Sequence, residues 1–250
     1  MTECWIRPIT PRILVESLRV AHASNPISMS DLEKCLSVEP RRASEIFRQL
    51  QSMGLLRELD ANSSIITDRG IRLLEAIVRD DRERVHQILM QYEPYRVVHR
   101  LLEDRALTIQ EIVESSSMNY VAVETILRII EWASPKLRRS RKHAFYIAQS
   151  TSLDVDTYAK NMEDLWKKMA STEFGIKREF VRIPDLRDRL CETLRIDTST
   201  FDNLFLKLLQ MSPGRFELSG APGPVTSASK DQGVRVAGKP FFYVRMTDRR

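Results

Sequence analysis

The sequence predicts a mainly α-helical chain with short β-hairpins, arranged as three consecutive modules over residues 1–79, 80–151 and 152–250. Three observations carry that expectation. Apolar residues recur at helical spacing along much of the 250-residue chain. Helix-start signals, an N-cap side chain answered by Glu three residues later, open some of these stretches. Two short apolar runs around a polar turn, the pattern of a hairpin, close each group of helices.

Composition bounds the class. With 42% hydrophobic and 29% charged residues the chain is globular, well away from the composition of disordered segments. No run approaches the roughly 20 apolar residues of a membrane helix. The N-terminal MTECWIRPIT lacks the charged-then-apolar pattern of a secretion signal. The expected address is therefore the cytoplasm, nucleoid-associated if DNA is bound, with no membrane partner. Cys4, Cys35 and Cys191 are odd in number and far apart, and the four histidines are scattered, so neither a disulfide framework nor a metal site is expected. No cofactor is expected either.

The net charge of +5 favours a polyanionic partner. Of 39 basic residues, 29 are arginine, whose planar fork suits phosphates and guanine edges. A compositional arginine habit is the competing explanation.

In the first module, Pro11 to Ala23 places Ile13, Leu14, Leu18 and Ala21 on one stripe. Ser30-Asp31-Leu32-Glu33 reads as a capping box opening a helix to Leu36. Pro40 starts a third helix with Ala43, Ile46, Phe47 and Leu50 inward, stopped at Gly54. Leu55–Leu59 and Ile65–Thr67 flank a polar tip and make a hairpin. The text LQSMGLLRELDANSSIITDRGIRLL, within residues 10 to 78, resembles the winged-helix superfamily of DNA-binding transcription regulators. That resemblance implies that Gly54-Leu55-Leu56 ends a recognition helix and that Ile66 to Gly70 closes the wing and begins a further helix. It extends to a tandem winged-helix architecture, because the same order of helices and hairpin recurs twice.

The second module has a helix from Glu93 to Glu103, a capping box at Thr108 and Glu111, a third helix from about Asn119 to Ala133, and a hairpin within Lys136 to Ala148. The third has a helix from Asp154 to Ala170, a short strand at Phe180–Ile183, a helix to Leu194, and a helix capped at Asp197–Thr200. Its wing strands are Arg215–Leu218 and Phe241–Val244, separated by a Gly/Pro/Ser-rich loop.

Catalytic signatures are missing: no phosphate-binding glycine loop, nucleophile elbow, His-Glu-x-x-His or Cys–His pattern occurs. Asp185, Asp188 and Glu192 share a helix face beside Arg187 and Arg189, and read as a solvated, ion-paired surface. The chain is expected not to be an enzyme.

Two segments carry the candidate nucleic-acid contacts. On the first module's third helix, Arg41, Arg42, Ser44, Glu45, Arg48 and Gln51 point outward, where arginines meet phosphates and Ser44, Glu45 and Arg48 reach base edges. An ordinary solvated face with intrahelical ion pairs is the plainer alternative. In the second module's hairpin, Lys136, Arg138, Arg139, Arg141 and Lys142 put five positive charges in eight residues without a carboxylate. That module's third helix is apolar on two sides, Val123, Ile126, Leu127 and Ile130 on one and Ala122, Ile129 and Trp132 on the other. Ile129 and Trp132 are therefore expected at an internal or partner interface. Thr200, Asp202, Asn203, Lys207 and Gln210, the outward positions of the third module's last helix, make a nearly neutral face suited to protein contact.

Two function classes follow: a double-stranded-DNA-binding regulator or chromatin-type protein, or a winged-helix scaffold or adaptor in a larger complex. A protein partner or a homo-oligomer fits either.

Overall fold

In a computed structural model, residues 9–60, 62–141, 143–149, 153–171, 179–220 and 233–247 are described. They form eleven helices and ten short strands in sheets of two or three strands. The chain divides into two compact units, residues 1–137 and 138–250.

The first unit opens with α1 (Pro11–Ala23), capped by Thr10 and burying Leu14, Leu18 and Ala21. Strand β1 (Ile27–Ser28) leads into α2 (Met29–Leu36). The capping box lies two residues earlier than the sequence suggests: Ser28 accepts from the Asp31 N–H, and Asp31 in turn accepts from the Ser28 N–H at 2.8 Å. Aspartate can close this box as glutamate does, so Ser28 took the position expected for Ser30.

Helix α3 (Pro40–Ser52) follows, with Pro40 in its first turn. Its stripe of Ala43, Ile46, Phe47 and Leu50 is buried, Phe47 at 4% exposure. Gly54 then adopts φ +68°, the left-handed turn that glycine takes without strain. Strands β2 (Leu56–Glu58) and β3 (Ser63–Ile66) form the hairpin, and β1 pairs with the outer side of β3, so the sheet order is β1-β3-β2. Thr67 caps α4 (Asp68–Val78) and its hydroxyl also donates to the Gly54 carbonyl at 2.8 Å. Gly70 lies so close to this turn that a Cβ there would sit 2.5 Å from the Leu55 carbonyl oxygen.

Helices α5 (Arg82–Leu89), α6 (Glu93–Asp104), α7 (Ile109–Ser116) and α8 (Tyr120–Ala133) complete the unit. The Thr108–Glu111 capping box forms as the sequence predicts. Helix α8 packs against α6 and α7 on one side and against α5 and α1 on another. Both of its apolar stripes are covered, Ile126 at 0% and Ile129 at 1% exposure, because a helix apolar on two sides has to be buried on two sides. Arg82, at the start of α5, donates to the Trp132 carbonyl and lies 5.8 Å over its ring, which places the Ile129–Trp132 stripe toward α5 within this unit. Gln49 of α3, buried, donates to the Tyr92 hydroxyl at 2.9 Å.

Strand β4 (Leu137–Arg139) begins at the division between units and pairs with β5 (Phe145–Ile147). In the second unit, α9 (Val155–Ala170), β6 (Val181–Arg182), α10 (Ile183–Leu194) and α11 (Thr198–Met211) precede β7 (Phe216–Ser219) and β10 (Tyr243–Met246). Strand β10 is central, paired with β6 and β7 in the order β6-β10-β7. Within the segment expected as a wing loop, β8 (Val234–Val236) and β9 (Lys239–Phe241) form their own hairpin. Tyr158 of α9 meets Phe201 of α11 edge to face at 5.8 Å in the core.

Two backbone features recur. The order helix, short strand, helix, helix, strand, strand appears from α1 to β3 and, with β8 and β9 inserted, from α9 to β10, with the same pairing of first strand to last. Three helix pairs, α2–α3, α7–α8 and α10–α11, are joined by three-residue turns whose first residue is left-handed: Ser37 (φ 51°), Ser117 (φ 57°) and Arg195 (φ 52°). No glycine marks these turns, so only the fold exposes this repeat.

Candidate nucleic-acid interface

Helix α3 sets the first candidate surface by phase alone. Burying Ile46, Phe47 and Leu50 turns Arg41, Ser44, Glu45 and Arg48 outward, where they line a shallow depression of about 210 Å³. Arg41 is 90% exposed along its side chain and stands 3.7 Å from Glu45. Arg42 is more covered, at 29%, and pairs with Glu45 at 3.1 Å. Glu45 thus holds the two arginines at the start of the helix, where α3 begins without a side-chain cap. Arg48 is exposed and makes no ion pair or hydrogen bond among the described residues. Chemically, this is a helix face with two tethered guanidinium groups, one untethered, and a hydroxyl between them.

The second candidate, the 136–143 hairpin, is held differently. Its return strand β5 is buried at Phe145, Tyr146 and Ile147. From β5 the Tyr146 hydroxyl donates to the Ile196 carbonyl at 3.3 Å, and just past it the Gln149 N–H donates to the Arg195 carbonyl at 2.7 Å, both in the α10–α11 turn. The Ser140 N–H donates to the Ala144 carbonyl and closes the tip.

Each basic residue of the hairpin has its own surroundings. Lys136 is exposed, and its charge adds to burial, the larger cause, in pushing the His99 imidazole down. Arg138 is half-buried and near Asp197, whose carboxyl is held below the usual range chiefly by the Thr200 N–H, with Arg138 a weaker contributor. Arg139 reaches His143 Nδ1 at 2.9 Å and lies 5.3 Å over the Phe145 ring. Arg141 pairs with Asp185 Oδ1 at 2.7 Å, while its backbone N–H donates to both Asp188 oxygens at 3.1 and 3.2 Å. Lys142 lies outside the described residues.

The carboxylates facing this tip come from α10, 44 and 47 residues away. The sequence puts Asp185 and Asp188 on a solvated helix face, and the local signal could not pair them with the hairpin. Asp202, expected outward, instead holds the buried Arg187 at 2.8 Å, and burial raises the Asp202 carboxyl despite that partner. The helix α3 face lies in the first unit and the hairpin tip in the second.

Other chemistry is weaker. Cys191 is 2% exposed, and burial pushes its thiol up to about 12, the reverse of what an activated nucleophile needs. A depression of about 420 Å³ beside α9 includes Glu163, but this carboxylate is held by Lys167 at 2.8 Å and by Arg215. Among the described residues no three His, Cys, Asp or Glu side chains converge as a metal set, and no helix is long and apolar enough to cross a membrane.

No protein-family model and no curated protein matches the chain. Among solved structures, the DIP2311 protein of Corynebacterium diphtheriae is similar over 87% of this chain, at 14% identity and a TM-score of 0.26. The chain spans 39% of that protein's length, and a likeness at this level carries no argument about fold or function.

Proposed function

We propose that the chain is a non-enzymatic nucleic-acid-binding protein built of tandem winged-helix modules, acting on double-stranded DNA as a transcription regulator or chromatin-type protein. The observation that carries this reading is the α3 face. A helix entered through a three-residue turn presents Arg41, Ser44, Glu45 and Arg48 together to solvent, over a buried stripe that fixes their direction. In helix-turn-helix readers the second helix of such a pair enters the major groove and its first residues meet backbone and base edges. The arginines supply phosphate contacts, and Ser44 and Glu45 the shorter polar groups that base edges require. The repeated order of helices and strands, with a short first strand added to the hairpin, supports the modular part of the proposal.

A salt-dependent gel shift of the full chain with a duplex tests it. Binding should weaken steeply with salt, through counterion release. Arg41→Ala/Arg42→Ala/Arg48→Ala should lower the slope of log affinity against log salt by roughly 0.9 for each phosphate no longer neutralised. Absence of duplex binding at low salt, or an unaltered slope in the triple variant, would reject the role of this face.

A scaffold or adaptor role is the second reading. The pairing of Arg41 and Arg42 with Glu45 favours it, since intrahelical ion pairs are what an ordinary solvated face carries. Under that reading the chain binds protein, and the α3 arginines are an ordinary solvated surface.

A further inference from the structure

We infer that the first turns of α10 act as an intramolecular stand-in for the nucleic-acid backbone, so that Asp185 and Asp188 mask the basic hairpin tip until a polyanion displaces them. The inference rests on the nucleic-acid reading above and concerns the regulation of one of its two surfaces.

The donors engaged at the tip are those a phosphodiester would use. A guanidinium and a backbone N–H are both common phosphate ligands. In this structure Arg141 gives its guanidinium to Asp185 and its N–H to Asp188, so two anions occupy both positions at once. The arrangement is within the second unit, whose β5 is tied by Tyr146 and Gln149 to the α10–α11 turn, and the tip is thereby held beside α10.

The mask is exchangeable for two reasons. Arg141 and Asp185 keep 46% and 35% side-chain exposure, and an ion pair so open to water is weak. Asp185 also has a second cation in reach, Arg182 at 3.6 Å, so it remains paired when Arg141 leaves. A duplex backbone carries a dense row of phosphates and can compete with a single carboxylate for the guanidinium. The sequence shows a run of positive charge without a carboxylate, while in the fold Arg141 of that run already faces two.

The test measures duplex affinity of the full chain over a salt series. Asp185→Asn/Asp188→Asn preserves side-chain shape and leaves a carbonyl oxygen for the Arg141 N–H. It should tighten binding by up to about fivefold, the equivalent of one exposed ion pair, and steepen the salt slope by roughly 0.9. Removing two negative charges raises affinity anywhere on the surface, so Asp156→Asn/Asp164→Asn on exposed positions of α9 is the control and should gain less. In an Arg141→Ala background the α10 variant should lose its advantage over that control, because the released partner is gone. Should the double variant fold poorly by circular dichroism, Asp185→Asn alone is compared in the same way, with Asp188 still on the turn. A gain equal to the control, or one that survives Arg141→Ala, overturns the mask and leaves the DNA reading standing. Failure of every variant to bind duplex at low salt overturns both.

Discussion

The α3 face and the hairpin tip are both arginine-rich surfaces, yet they differ in where their counter-charges originate. On α3 the ion-pair partner, Glu45, lies three and four residues from Arg42 and Arg41, and Arg48 stays unengaged among the described residues. On the hairpin the local text holds no carboxylate, but Asp185 and Asp188 arrive from a helix more than forty residues later. Charge density along a sequence therefore measures the charge available for binding only where the counter-ions are local. The helix arginines are countered from within their own helix, and Arg141 of the hairpin from a distant one.

The largest expected effect breaks the first surface at its foundation. Phe47→Ala removes a ring that is 4% exposed beneath the α3 arginines and should destabilise the protein by about 3–5 kcal/mol in urea melts. Duplex binding should fall with it. A destabilisation below about 1 kcal/mol would mean that the stripe does not set the direction of Arg41 and Arg48.

Acidification comes next and serves as a control on the first unit. His86 Nδ1 bonds the Tyr95 hydroxyl at 2.8 Å, and the His86 and His99 rings lie 4.5 Å apart. Burial pushes both imidazoles down, His99 to about 4, with the two rings opposing each other's charge at His86 and Lys136 adding to the effect at both. Glu83 and Glu103 act in the opposite direction at His86. Native imidazoles bind fewer protons than unfolded ones near 6.5, so stability is full above that value and declines as the pH falls toward about 4. The decline should reach on the order of 2–3 kcal/mol in urea melts compared at pH 7 and 4.5. His99→Phe should flatten it, and an equally steep profile in that variant would place the acid sensitivity elsewhere.

Comparing the two arginine triples sharpens the contrast directly. Arg41→Ala/Arg42→Ala/Arg48→Ala should reduce the salt slope of duplex binding more than Arg138→Ala/Arg139→Ala/Arg141→Ala, by roughly 0.9 for each additional phosphate engaged. A larger reduction in the hairpin triple reverses the ranking and makes the tip the principal DNA-binding surface. The smallest effect is on stability: Arg141→Ala should change it by no more than about 1 kcal/mol, since its partner pair is exposed. A larger change by thermal or urea unfolding would make the tip a structural clasp and remove the grounds for an exchangeable mask.

Local signals are legible where the physics is local. The α3 stripe follows from a period of 3.6 residues, so Ile46, Phe47 and Leu50 are placed inside without knowledge of any tertiary contact. The Thr108–Glu111 box, the Gly54 stop and the Thr67 start also act within one turn of chain. The first capping box slips by two residues because Ser28 and Ser30 are chemically equal candidates, and Asp31 serves as readily inside a first turn as at its closing position. The helix turns at Ser37, Ser117 and Arg195 are invisible in the sequence as left-handed positions because none of them is glycine.

By itself, the sequence determined the phase of α3, the Thr108–Glu111 cap, the first two hairpins and the two-sided apolar character of α8, while the β8–β9 hairpin lies in a stretch whose composition predicts a loop. Those properties come from spacing and side-chain type, which act over a few residues. Only the tertiary structure decided that α1, α5, α6 and α7 cover α8, that Asp202 turns to Arg187, and that Arg141 meets Asp185 and Asp188. These pairings depend on which distant elements meet, and burial and Coulomb attraction act through space, with no signature in sequence separation.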